Sequence, residues 1–357
     1  MNSASNNLDP LPTDPTAAAP ESPTPIESEA MEPPTPVAAL LNLGDLDFDD
    51  DETDLPATVI NPPPPIEESD DMPTIVLPMQ LVDLAAAALT DVGQQREHNE
   101  DDFGVALVLD EQRTPLTAKV RAKGLYILCD GMGGHAGGEV ASRMAVESLQ
   151  QTLRSQWLNQ DEWALPDRAS IVAAIHQANQ TLYDQNLDAA RLGNGRMGTT
   201  LVMMVVCGNQ VAIAHVGDSR AYSLNRKQGL VQLTTDHEVG QREIQRGSSP
   251  EEAYARPDAY QLTQALGPRD NQFVDPGVAL MELTEDTLFL LASDGLTDND
   301  LLEQCWPTVM EPMLSGQLGL EPGVQQLIGL ANQYNGHDNI TAIAVRLRVR
   351  PEMLSGV

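Results

Sequence analysis

Basic side chains are scarce in this chain: 20 Lys and Arg stand against 53 Asp and Glu, a formal net charge of -33 over 357 residues. That balance argues against nucleic acid and anionic membranes as partners, because both are held by Lys and Arg. It favours cations or basic proteins. Cysteine is scarcer still. Cys129, Cys207 and Cys305 lie far apart and form no Cys-x-x-Cys pair, which removes the usual zinc and redox patterns. They read as small buried apolar residues in a reducing compartment. No apolar run approaches the ~20 residues of a membrane helix. No Lys or Arg precedes Arg96, so the N-terminus lacks the positive start of a secretory signal. A cytoplasmic chain is the expectation.

What is abundant is unevenly spread. Met1 to Pro78 hold 16 of the 26 prolines and 17 acidic residues. Runs such as Pro62-Pro63-Pro64-Pro65 favour extended polyproline II and forbid helix. One-signed charge with few apolar residues does not offset the entropy of folding. Residues 1–72 are therefore expected to be a disordered acidic tail, a spacer or a docking segment for an unidentified partner. Residues 73–87 (Ile75, Val76, Leu77, Leu81, Val82, Leu84) are expected to be an edge or linker segment, and 88–351 the main folded domain.

Within that domain, 41% hydrophobic residues over the whole chain are enough for a sizeable core. Gly124 to Cys129 and Thr287 to Ala292 read as short buried strands. Ala141, Ala145, Leu149 and Leu153 mark one amphipathic helix, from Glu139 to about Ser155. Ile171, Ile175, Ala178 and Leu182 mark a second. Thr199–Cys207, Gln210–Val216 and Ala221–Leu224 read as a meander broken at Gly208-Asn209 and Gly217-Asp218. Val345, Leu347 and Val349 alternate with Arg346, Arg348 and Arg350, as in a half-buried strand. Strands dominate, two long helices enter together, and no internal repeat is present. The fold class is α+β.

Four segments place an Asp beside Gly or Asn just past an apolar run: Asp130-Gly131, Gly217-Asp218, Asp294-Gly295 and Asp338-Asn339. A fifth, Glu100-Asp101, precedes a strand. Each alone is an ordinary turn signal. Converged, the five would repel strongly in a partly dry cleft, and hard divalent cations remove that cost, since Mg²⁺ and Mn²⁺ prefer oxygen donors. Two such ions ~3.5–4 Å apart activate water at neutral pH. Arg96, four residues before Glu100, supplies a planar cation able to grip two phosphate oxygens. No Cys-x5-Arg loop supports a thiolate mechanism.

Seven runs occur in a familiar order: Val92 to Asp101, Asp130-Gly-Met-Gly-Gly-His135, Met197-Gly-Thr-Thr200, His215-Val-Gly-Asp-Ser-Arg220, Leu233-Thr-Thr-Asp-His237, Leu291-Ala-Ser-Asp-Gly-Leu296 and His337-Asp-Asn-Ile-Thr341. The chain resembles the bacterial type 2C protein phosphatases, the metal-dependent PPM family, from about Ala88 to Arg350. The resemblance implies two packed antiparallel sheets flanked by helices. It implies hydrolysis of phosphoserine and phosphothreonine in proteins by a hydroxide bridging two Mn²⁺ or Mg²⁺ ions. Asp130 would bridge the metals, with the Gly131 carbonyl on one and Asp294 and Asp338 on the other. Glu100 and Asp101 would act through water, Asp218 with Asp294 would bind a third metal, and Arg96 would hold the phosphate. Residues 236–259 would form a flap beside the cleft. Met132 stands where animal members carry a proposed acid His, and His135 is not assumed to replace it. His98, His237 and His337 are read as scaffold. Phosphorylated proteins are the expected partners, and nothing points to a dimer. The alternative is an inactive phosphoprotein-binding pseudophosphatase or scaffold.

Overall fold

Asp130 and the other acids are carried by a sandwich of two antiparallel sheets, in a computed structural model that describes residues 77–113, 118–133, 137–189 and 195–352. The expected tail, residues 1–72, and His135 lie outside the described residues. The strands are β1 (Met79–Asp91), β2 (Asp101–Arg113), β3 (Ala118–Met132), β4 (Gly198–Thr199), β5 (Leu201–Cys207), β6 (Gln210–Val216), β7 (Arg220–Asn225), β8 (Gly229–Gln232), β9 (Gly277–Glu282), β10 (Thr287–Ala292) and β11 (Ile340–Pro351). One sheet runs β1-β11-β10-β7-β8. The other runs β2-β3-β5-β6-β9, with β4 paired to the end of β3.

Two pairs of helices cover the outer faces. The helices are α1 (Gly137–Leu153), α2 (Arg168–Asp188), α3 (Val239–Gln245), α4 (Pro250–Tyr254), α5 (Asp294–Thr297), α6 (Leu301–Ser315) and α7 (Leu320–Tyr334). Leu149 of α1 and Ile175 of α2 pack with Leu125, Ile127, Met203 and Val205. Met313 of α6 and Leu327 of α7 pack with Leu288, Leu290 and Ala342. Between the sheets, Val202, Met204 and Ile213 meet Phe289, Leu291 and Ile343. A central strand is thus covered on both sides, which is why all seven residues of β5 and all six of β10 are buried and their sequences are continuous apolar runs.

The sequence reading of both long helices holds. α2 opens on Asp167, whose side chain accepts a hydrogen bond from the Ser170 N–H, a standard N-cap. Three differences are informative. Much of the expected edge or linker segment is a long strand instead: β1 pairs with β11 from Met79 opposite Pro351 to Asp91 opposite Ile340. The expected strand Thr199–Cys207 is interrupted at Thr200, because Thr200 turns to bind Asp130. And β11 is fully buried as far as Val345. Its arginines begin only where α6 ends, and Arg346 donates to the Met313 carbonyl at 2.8 Å. That bond satisfies one of the carbonyls a helix C-terminus leaves free.

Among the described residues no helix is long and apolar enough to cross a membrane.

Candidate metal and phosphate site

The register of the two sheets brings the acidic turns to one end of the sandwich. Asp130 lies near the end of β3 and faces Asp101 across the β2–β3 pair. Asp294 follows β10, Asp338 precedes β11 and Asp218 precedes β7. Ala292 pairs with both Ala342 and Arg220, so these three turns are neighbours. Arg96, Glu100, Asp130, Gly131, Asp218, Asp294 and Asp338 line one cleft of about 300 Å³, with Met132, Gly133, Thr200 and Leu262 completing it. Of the metal and phosphate candidates named from the sequence, Asp101 alone is not among the lining residues. It is buried behind them, where its Oδ2 accepts from the Ser293 hydroxyl at 2.8 Å.

The backbone of Asp130 is held from two sides. Its N–H donates to the Thr200 hydroxyl at 3.0 Å, and its carbonyl accepts from the Thr199 hydroxyl at 2.8 Å and the Thr200 N–H at 2.8 Å. The Gly131 N–H donates to the Glu100 carbonyl at 3.0 Å. A β-carbon on Gly131 would collide with the backbone of Gly138 and of Glu100, so the approach of α1 to this turn requires glycine.

Asn339 organises the other wall. Its Oδ1 accepts from the Glu100 N–H at 2.8 Å, and its Nδ2 donates to the carbonyls of Val92 and His98, each at 2.9 Å. One amide thereby fastens both ends of the loop that carries Arg96. Replacing it with Ala removes three bonds at once. Phosphate release by Asn339→Ala is expected to fall roughly 10- to 100-fold, the usual cost of losing a group that orients a site, while the protein keeps a cooperative melt. An unaltered rate would show that the loop is held by something else.

Burial dominates the electrostatics. It pushes the carboxyl of Asp218 up to about 8, with Asp294 and Glu238 adding repulsion. Asp101 rises to about 7 in spite of hydrogen bonds from Thr341 and Ser293. Asp294 rises to about 6 through burial and the nearby charges of Asp298 and Asp338. Asp130 is raised well above the usual carboxylate range by burial and by Asp101, Asp294, Asp218 and Asp338. Glu100 is raised too, chiefly by burial. Arg96 is the cation in the cleft, and its Nη2 contacts Asp338 Oδ2 at 2.5 Å. Its side chain stays 45% exposed, and Nη2 is the atom that Asp338 engages.

These donors suit hard divalent cations. All are oxygens, they repel one another, and the buried oxygens Asp101 Oδ1 and Asp294 Oδ1 have no hydrogen-bond partner. Among the described residues no three His, Cys, Asp or Glu side chains are gathered on a single point, and Asp338 leans on Arg96. The carboxylates are spread along the cleft.

The first residues of the expected flap, from Asp236, are held by side-chain bonds. Arg220 grips both oxygens of Asp236, at 2.9 and 2.7 Å to Oδ2 and 3.2 Å to Oδ1. His237 bonds Gly217 in both directions, and its carbonyl accepts from Thr263. His237 is thus a scaffold residue, as is His215, stacked on it at 4.8 Å.

A family description, protein phosphatase 2C, matches residues 110–327. The chain belongs to that family. The serine/threonine phosphatase stp of Listeria welshimeri is 38% identical over 259 residues, 72% of this chain and 93% of that protein. The solved serine/threonine phosphatase PstP/Ppp of Mycobacterium tuberculosis is 31% identical, with a TM-score of 0.55, over 74% of this chain and 99% of the other. A catalytic domain of PstP in complex with two manganese ions is 30% identical, with a TM-score of 0.53, over 76% and 100%. Divalent-metal use accords with the oxygen-rich cleft of this 2C-type domain.

The sequence motifs contained Asn339, Ser293, Thr200 and the Arg220–Asp236 pair, but sequence alone gave them no role. The usable signal was small: a short polar side chain next to each acid, able to orient it.

Proposed function

We propose that this chain is a protein-serine/threonine phosphatase that hydrolyses phosphoserine and phosphothreonine in proteins. The observation that carries the reading is the convergence of Asp130, Asp294 and Asp338 with Arg96 in one cleft. Two divalent cations bound there, Mn²⁺ or Mg²⁺, would stabilise charge on the phosphoryl group and lower the pKa of water.

The rest falls to the chain. Asp130, with its backbone clamped by Thr199 and Thr200, would hold the ions together with the Gly131 carbonyl, Asp294 and Asp338. Glu100 and Asp101 would act through water. Asp101 is kept from drifting by Ser293, whose hydroxyl also accepts from the Thr341 N–H at 2.9 Å. Asp218 with Asp294 offers a third position. Arg96 orients the phosphoryl oxygens with the N–H groups that Asp338 does not use. Met132 has no titratable proton, so the proton for the leaving seryl or threonyl oxygen comes from water in the cleft.

The test is phosphate release from a phosphothreonine peptide by the full chain with Mn²⁺, with Mg²⁺ and with EDTA. Release that requires metal is the expected result. A folded protein that binds the peptide and releases nothing with either metal would instead be a phosphoprotein-binding module.

A further inference from the structure

A cavity of about 750 Å³ opens beside the catalytic cleft and shares Asp218 and Asp294 with it. One wall is the flap, with Glu238, Tyr254 and Tyr260. The other is the turn after α5, with Asp298, Asn299 and Asp300. Its single basic side chain, Arg220, is already neutralised by Asp236.

The walls differ from a plain acidic patch. Tyr254 and Tyr260 form a tilted ring pair with centroids 5.3 Å apart, and the Tyr254 hydroxyl donates to Glu238 at 3.2 Å. Tyr260 is 73% exposed, an aromatic face available to a cation. Among the described residues nothing pairs with the Asp300 carboxylate. Asn299 and Asp300 sit at φ 59° and 54°, so this turn holds its acids out at a backbone conformation that Asn and Asp tolerate better than other side chains.

Resting on the phosphatase reading above, we infer that this cavity is a specificity subsite that takes a Lys or Arg side chain flanking the phosphorylated residue. A basic side chain lying there would stack its stem and head on Tyr260 and meet Glu238, Asp298 and Asp300. An acidic flank would meet three like charges. Substrates are therefore selected as phosphoproteins with a basic residue near the phosphate, a choice made outside the chemistry and by the flap.

The experiment compares two phosphothreonine peptides of equal length, one flanked by Lys and Arg and the other by Asp and Glu, on the full chain with Mn²⁺. The expected kcat/KM ratio favours the basic peptide about tenfold, the sum of three exposed ion pairs, and shrinks in high salt. In Asp300→Asn and in Tyr260→Ala the ratio moves towards one. Because both peptides are read on the same protein, partial misfolding cancels. Hydrolysis of both peptides at equal rates, or faster hydrolysis of the acidic one, overturns the subsite and leaves the phosphatase intact. An unchanged ratio in both variants overturns its placement. No hydrolysis of either peptide or of p-nitrophenyl phosphate overturns the phosphatase reading and the subsite with it.

Discussion

Asp130→Asn is expected to lower kcat by at least about 10³-fold, because several kcal/mol of transition-state charge stabilisation depend on the ions this side chain would share. The fold is expected to survive. The Asp130 backbone, not its carboxylate, makes the bonds to Thr199 and Thr200, and those remain. In EDTA the variant should melt higher than the wild type, since the carboxylate removed stands among Asp101, Asp294, Asp218 and Asp338 and like charges in a dry cleft oppose folding. With Mn²⁺ the order should reverse. Ligand at 100 times its Kd stabilises the wild type by about 2.7 kcal/mol, and the variant gains little of it. Turnover near the wild-type rate, or an equal Mn²⁺-induced rise in both proteins, would remove Asp130 from the metal site.

The second large effect concerns stability. Asp236→Ala leaves the Arg220 guanidinium, 22% exposed, without the carboxylate that grips it. Breaking one side of a buried pair costs about 3–5 kcal/mol, so the melting temperature should drop by several degrees or more. The remaining contacts of Arg220, to the Tyr222 hydroxyl and the Thr297 carbonyl, are both at 3.5 Å and do not replace it. Replacing both partners with apolar residues, as in Arg220→Met with Asp236→Leu, should recover most of the stability, because no charge is then stranded. It should not recover the shape of the flap root: Gln232 also donates to Asp236, at 3.2 Å. A single Asp236→Ala variant that melts with the wild type would show that this end of the flap is not anchored through the pair.

Chemistry was the part most open to reading in the chain itself. Six acids in five turn segments and one early arginine pointed to oxygen-ligated metals and a phosphate, and the cleft gathers all of them except Asp101. Secondary structure came through wherever one face is buried, as in α1 and α2, since a 3.6-residue period survives in sequence. It came through less well in β1. Its alanines divide between the helix-side core (Ala85, Ala87) and the core between the sheets (Ala88), with Ala86 exposed, and so small a side chain carries little hydrophobic contrast between the two faces.

Composition, the order of the acidic turns and the periodicity of the helices were settled by the sequence, because they depend on local residue types. Which acids share a wall, that Asp101 lies behind it, that Thr200 leaves its strand to hold Asp130, and that Asn339 fastens the loop of Arg96 were decided only by the tertiary structure. Each depends on a hydrogen bond or a register between residues 70 to more than 240 positions apart, and no local pattern encodes a partner at that separation.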